Sequence, residues 1–281
     1  MQTVTTLENL RQAVDDLRQS GTIALVPTMG ALHEGHLTLV REARKRADHV
    51  AVSIFVNPRQ FGPNEDLDAY PRQLAEDAAK LVAEGVALLW APDAAAMYPS
   101  GYATNISVGG VSDGLCGAAR PGHFDGVATV VCKLFNQMRP DCALFGEKDW
   151  QQLAVIRRMA RDLDLTQPHV DAIHGVPIVR EADGLAMSSR NAYLSCQQRA
   201  DAAALPAAMQ EATARIRKGH EAAPVLVKLA EHLLGAGFAS VDYAELRDAD
   251  SLAMLDRDNG NSRLFVAARI GGTRLIDNMA V

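Results

Sequence analysis

The stretch Thr22–Val56, TIALVPTMGALHEGHLTLVREARKRADHVAVSIFV, decides the fold. Its first five residues, Thr22 to Val26, are an apolar run that halts at Pro27, the pattern of a buried strand feeding a loop. From Gly35 to Ala47 the apolar positions Leu37, Val40 and Ala43 recur at helical spacing. Arg41, Arg44, Lys45 and Arg46 crowd the far end of that helix, where positive charge suits the dipole. Val50 to Val56 then reads as a second buried strand. Strand, helix and strand in that order make a βαβ unit, which calls for a parallel sheet.

The alternation extends in both directions. Upstream, Leu7, Leu10, Val14 and Leu17 lie on one helical face with Gly21 as a stop, so the chain is expected to open with an amphipathic helix. Downstream come a helix over Gln73–Glu84, a strand over Val86–Trp90, a helix over Gly126–Met138 and a strand over Cys142–Phe145. The fold class expected is α/β, a Rossmann-like doubly wound parallel sheet. Beyond about residue 175 the pattern changes to a polar loop, then Ala-rich helical stretches over Ala200–Lys218 and Ala222–Leu234, then β-like runs over Val241–Leu246 and Arg263–Ile270. The expected division is residues 1–175 as the doubly wound domain and 176–281 as a smaller α+β domain. In doubly wound sheets ligands bind beyond the carboxyl ends of the strands, so the loops after Val26, Val56 and Phe145 should share one crevice.

Composition narrows the class without naming an activity. With 281 residues, 48% hydrophobic and 22% charged, the chain has room for a core that needs no disulfides. A net charge of -6 argues against a broad nucleic-acid surface, and no apolar run approaches the roughly 20 residues that span a bilayer. The four cysteines, Cys116, Cys132, Cys142 and Cys196, form no C-x-x-C pair, which fits a reducing cytoplasm better than a zinc site or a disulfide framework.

His33 and His36 lie three apart at the strand-to-helix turn, so on a first helical turn they share a face. Backbone N–H groups at the helix start, with Gly30 and Gly35 allowing close approach, complete an expected anion site. The same histidines also fit a plainer role as surface or capping residues. A zinc protease is excluded by spacing, since H-E-x-x-H needs histidines four apart. Met187-Ser188-Ser189-Arg190-Asn191 offers hydroxyls and a guanidinium suited to pyrophosphate, and Lys148, in Gly146-Glu147-Lys148-Asp149, offers a point charge after a strand. Asn57, Gln60 and Gln152 are neutral amides near strand ends, able to orient hydroxyl or carboxylate groups.

Five separated blocks together resemble the pantothenate synthetase family, within the nucleotidyltransferases that carry an H-x-G-H motif. They are Pro27–His36 (PTMGALHEGH), Phe55–Arg72 (FVNPRQFGPNEDLDAYPR), Arg120–Phe124 (RPGHF), Leu144–Gln152 (LFGEKDWQQ) and Arg180–Asn191 (READGLAMSSRN). The resemblance implies an ATP-dependent, AMP-forming ligase that joins (R)-pantoate to β-alanine through pantoyl adenylate. It implies catalytic roles for His36, His33, Lys148, Ser188, Ser189 and Arg190, with His36 as proton donor. It implies an ATP pocket lined also by Met29, Gly30, Gly146, Asp149, Val179 and Met187, and contacts to pantoate and β-alanine from Gln60, Gln152 and Asn57. Mg2+ is expected on the triphosphate, with no protein ligands assigned, and a cytoplasmic homodimer is implied. Another nucleotidyltransferase, or a nucleotide-sensing protein without turnover, remains an alternative on the residues alone.

Overall fold

A computed structural model describes residues 1–63 and 65–281; Asn64, inside the Phe55–Arg72 block, lies outside the described residues. In chain order the elements are β1 (Gln2–Val4), α1 (Leu7–Arg18), β2 (Ile23–Thr28), α2 (Glu34–Arg44), β3 (His49–Ile54), α3 (Leu74–Ala83), β4 (Leu88–Trp90), α4 (Ala94–Met97), α5 (Leu115–Ala119), α6 (His123–Met138), β5 (Cys142–Gly146), α7 (Trp150–Asp162) and β6 (Ile173–Val176). These are followed by α8 (Cys196–Asp201), α9 (Ala204–Arg217), α10 (Ala222–Gly235), β7 (Ser240–Asp248), β8 (Ser262–Ile270) and β9 (Thr273–Ala280).

The first six strands form one parallel sheet in the order β1-β4-β3-β2-β5-β6. The chain moves outward from β2 through β3 to β4, then returns to place β5 on the other side of β2. Strand order therefore reverses between β2 and β5, the position at which such sheets open a crevice for ligands. β2 is central because it can be: Ile23, Ala24, Leu25 and Val26 are fully buried, and neither face requires water. Asp141, just before β5, accepts the Ile23 N–H at 2.7 Å and ties the two strand starts together.

One expectation is corrected at the N-terminus. The chain opens with a strand, β1, paired in parallel register with Leu88–Trp90, before the predicted helix α1 begins. Only Val4 of its three residues is buried, so the strand carries no period that a sequence could display. Thr6 then caps α1 by accepting the Asn9 N–H at 3.3 Å.

Two compact units emerge from the packing. The first comprises Met1–Ser112, Cys116–Glu147 and Gln152–Pro177; the second comprises Asp113–Leu115, Lys148–Gln151 and Ile178–Val281. Within the second, β7, β8 and β9 form an antiparallel sheet on which α9 and α10 bury Leu205, Met209, Ile216, Leu229 and Leu233 against Leu264 and Val266.

Candidate active site

The turn after β2 is shaped by three backbone constraints. Thr28 Oγ1 donates to Ser53 O at 2.8 Å and accepts the Gly30 N–H at 3.3 Å. Gly30 sits at φ +84°, and a Cβ there would meet Ile54 Cγ2 at 3.1 Å and Asp77 Oδ2 at 3.2 Å, so glycine answers both the dihedral and the space. Ala31 also lies in the left-handed region, at φ 51°. What holds it there is Asp77 on α3, a fully buried carboxylate that accepts the N–H groups of Ala31 and Leu32, each at 2.8 Å. One helical turn on, Lys80 Nζ donates to Leu32 O at 2.7 Å.

The histidines follow directly. His33 is the N-cap of α2 and its Nδ1 accepts the Gly35 N–H at 3.1 Å, while the His33 N–H donates to His36 Nδ1 at 3.3 Å. This is a reciprocal cap of the kind usually made by Ser and Glu, built from two imidazoles whose ring centroids are 4.1 Å apart. Because Nδ1 of each ring is an acceptor, the neutral rings carry their hydrogen on Nε2. Both the plainer capping role and a chemical role are thus compatible, one nitrogen serving each. The N–H groups of Ala31, Leu32, His33, Gly35 and His36 all have protein acceptors. These five N–H groups are therefore already engaged within the protein, against the expectation that the helix start offers them to an anion.

Beside the turn, Gln60 Nε2 donates to Met29 Sδ at 2.9 Å and its Oε1 accepts from Asn57 Nδ2 at 3.0 Å. Asn57 is buried, and its amide is engaged on every side: Nδ2 also donates to Gly126 O at 3.1 Å, and Oδ1 accepts from Tyr98 Oη at 2.8 Å and Arg59 N at 3.3 Å. Burial pushes the Tyr98 phenol well above its ordinary range, which keeps it a donor. The backbone carbonyl of Gln60 is gripped as well, by Arg120 Nη2 at 3.2 Å and His123 Nδ1 at 2.8 Å. Arg120 is itself aligned by Glu65, Nε to Oε1 at 2.7 Å. Burial acts to raise the Glu65 carboxyl, and the hydrogen bond and charge of Arg120 outweigh it, leaving the group below its ordinary range. Of the remaining first-unit candidates, Gly146 ends β5 next to β2, and Gln152 is half-buried on α7.

Lys148, Asp149, Val179, Met187, Ser188, Ser189 and Arg190 belong to the second unit. Lys148 Nζ lies 3.9 Å from Asp149 Oδ2. Val179 and Met187 face each other across a short hairpin, the Met187 N–H donating to Val179 O at 3.0 Å, with Gly184 at φ +88° in its turn. Ser188 leaves that hairpin and caps a short 3-10 helix, Ser189–Tyr193, by accepting the Arg190 N–H at 3.3 Å. Asn191 Nδ2 reaches back to Glu181 Oε1 at 3.0 Å and Ala186 O at 3.2 Å, fixing the turn that presents Ser189 and Arg190. Among the described residues no group of three or more His, Cys, Asp or Glu side chains is arranged to hold a metal ion.

Asp77, Lys80, Tyr98, Arg120 and His123 shape the first-unit site without having been singled out as site residues from the sequence. Asp77 had one visible signal, an acid sharing the buried face of α3 with Leu81.

Comparison with known proteins places this geometry in company. A family model described as pantoate-beta-alanine ligase matches residues 2–280. The pantothenate synthetase of Novosphingobium aromaticivorans is 72% identical, over 100% of this chain and 99% of its own length, and that of Sphingopyxis alaskensis is 61% identical over 100% of both. The crystal structure of pantothenate synthetase from Thermus thermophilus superposes with a TM-score of 0.92 at 45% identity, covering 99% of each chain. The pantoate-beta-alanine ligase of Francisella tularensis, complexed with beta-gamma ATP and beta-alanine, superposes with a TM-score of 0.83 at 33% identity, covering 100% of this chain and 97% of its own.

Proposed function

The chain belongs to the pantoate-beta-alanine ligase family, and on that premise we propose how its residues carry out the ATP-dependent joining of pantoate to β-alanine. The pantoate carboxylate attacks the α-phosphorus of ATP, giving pantoyl adenylate and releasing pyrophosphate. The neutral amine of β-alanine then attacks the acyl carbon, AMP leaves, and the amine proton passes to solvent. Activation is needed because a free carboxylate resists an incoming amine, whereas the mixed anhydride carries a good leaving group. Neither step requires a covalent bond to the protein.

The observation that carries this reading is the reciprocal histidine cap at the carboxyl end of the central strand. It holds two imidazoles with their hydrogens on Nε2, at the switch point of the sheet, on a backbone fixed from below by Asp77. Such donors strengthen as negative charge shifts onto the departing phosphates and need no reorganisation to do so. His36 is the proposed proton donor and His33 its partner. Lys148, Ser188, Ser189 and Arg190 are proposed to hold the pyrophosphate portion, with Met29, Gly30, Gly146, Asp149, Val179 and Met187 around the nucleotide. Gln60 and Gln152 are proposed to orient pantoate, Gln60 also near β-alanine. Asn57 acts through Gln60, since its own amide is saturated by protein groups. ATP is proposed to enter with Mg2+ as part of the substrate. A cytoplasmic homodimer completes the proposal.

One assay tests the reaction. Labelled pyrophosphate should exchange into ATP only when pantoate is present, and AMP should appear only when β-alanine is added. Exchange without pantoate, transfer of AMP to a stable product, or nucleotide binding without exchange would each replace this reading with another.

A further inference from the structure

Strand β9 carries two adjacent buried polar residues, Asp277 and Asn278, 3% and 2% exposed. Burying such groups is unfavourable unless each finds partners, so their partners indicate what they are for. Asn278 Nδ2 donates to the backbone carbonyl of Lys148 at 2.9 Å, 130 residues away in sequence. Its Oδ1 accepts from Arg263 on β8, whose guanidinium stacks 3.6 Å from the ring centroid of Trp150, and Trp150 Nε1 donates to Ala249 O at 2.8 Å. The Lys148–Trp150 segment is thereby pinned to the C-terminal sheet at its carbonyl and its ring face, and to the turn after β7 at its indole N–H.

Asp277 acts on the other segment. Its carboxylate receives Arg180 in a bidentate pair, Nη1 to Oδ2 at 2.7 Å and Nη2 to Oδ1 at 2.9 Å. Arg180 opens the hairpin that leads into Ser188, pairing with Ala186 and donating from Nη1 to Gly184 O at 2.9 Å. The planar fork of a guanidinium on a carboxylate fixes direction as well as distance. Successive strand residues project to opposite faces, so neighbouring positions can each hold a different element.

We infer that Asp277 and Asn278 are positioning residues that set the phosphate-directed groups of this unit, Lys148 through Asn278 and Ser188 to Arg190 through Asp277 and Arg180, as one rigid set. The inference rests on the proposed role of Lys148 and of the serine–arginine turn toward ATP. It gives the C-terminal sheet a function in adenylation although none of its strands is proposed to touch substrate. Lys148 follows a strand of the first unit in sequence, yet it groups with the second unit, and its backbone carbonyl is bonded to β9.

A double-mutant cycle on pantoate-dependent pyrophosphate exchange tests it. Asn278→Ala should lower kcat/KM for ATP by roughly 10- to 100-fold, as expected when a charged group is displaced by a fraction of an ångström to an ångström. In a Lys148→Ala background the same change should cost less than about 3-fold, because the residue it positions is gone. Asn278→Asp supplies a second variant that keeps size and the Arg263 pairing while replacing the donor facing the Lys148 carbonyl by an acceptor, and urea titration of each variant separates loss of this contact from loss of the fold. Equal losses from Asn278→Asp in the parent and in the Lys148→Ala background would overturn the inference, as would full activity of Asn278→Asp. A Lys148→Ala enzyme with undiminished exchange would instead remove the role of Lys148 itself, a failure of the underlying reading that the single variant alone reveals.

Discussion

Replacing His36 by glutamine separates the two jobs its ring performs. Nδ1 accepts the His33 N–H at 3.3 Å and so closes the reciprocal cap, while Nε2–H is the donor proposed to meet developing phosphate charge. Glutamine is a natural residue at this third helical position, where its Oε1 accepts the same N–H. His36→Gln should therefore keep stability within about 0.5 kcal/mol of the parent. His36→Ala loses the cap acceptor, and because the bond is long the loss should fall at the low end of the capping range, about 0.5–1 kcal/mol. Both variants lose the imidazole Nε2–H. Removing one well-placed donor to a transition-state oxyanion typically costs about 2.7–4 kcal/mol, so exchange should fall by about 10²–10³-fold in His36→Ala, and by less in His36→Gln to the extent that its amide N–H reaches the same oxygen. Urea denaturation gives the first comparison and pantoate-dependent pyrophosphate exchange gives the second. If His36→Ala exchanges within about 3-fold of the parent, the side chain at position 36 donates nothing that matters to the reaction. If Gln and Ala variants are equally stable, the cap contributes nothing to the helix.

Asp77→Asn should prove more damaging to the turn than either histidine change. An amide offers one acceptor where two backbone N–H groups now bond a carboxylate, so about 2–4 kcal/mol of stability should be lost in urea titration, with exchange depressed alongside; a loss below about 0.5 kcal/mol would show that the turn holds itself. Gly30→Ala places a Cβ 3.1 Å from Ile54 Cγ2 at φ +84°, and a destabilisation of about 1–3 kcal/mol with unchanged m-value is expected from denaturant midpoints. The Glu65–Arg120 pair should leave a signature in acid. The folded Glu65 carboxyl lies below its ordinary value of 4.5, so its contribution is complete above that pH and disappears as pH falls through the depressed value. Melting temperatures of Glu65→Gln followed from pH 7 to pH 3 should consequently fall less steeply than those of the parent, and parallel curves would refute the assignment.

Much of the fold could be read from Thr22–Val56 because its strands are apolar on both faces and its helix carries a clear period. The parts that could not be read lacked a local signal. In β1 only Val4 is buried, and in β9 the alternation is broken by Asp277 and Asn278, whose polarity reflects partners far away in sequence. The site divides in the same way. His33 and His36 stand out by spacing and their surroundings in the sequence, whereas Asp77 resembles any acid in the first turn of a helix, where the dipole favours negative charge. Its actual task, accepting the N–H groups of Ala31 and Leu32, joins positions 46 and 45 apart in sequence. Sequence spacing reports which side chains a helix brings together; it does not report which backbone groups a distant carboxylate holds.

On the proposed reading, that carboxylate also explains why this turn would meet phosphate through side chains. Consecutive N–H groups in a tight turn make a concavity for an anion, which in other nucleotide-binding loops is filled by the phosphate itself. Here the Ala31 and Leu32 N–H groups meet Asp77, so the concavity already holds an anion that belongs to the protein. The next N–H groups along the chain are engaged by the histidines' own Nδ1 atoms. A backbone cradle would grip ATP before and after reaction with similar strength, which helps binding more than turnover. Imidazole donors held rigidly on a self-satisfied backbone respond instead to charge that appears as the α–β phosphate bond breaks. On the proposed reading, the buried Asp77 is thus the physical reason that the histidines, and not the backbone it occupies, are the part of this turn that would distinguish transition state from substrate.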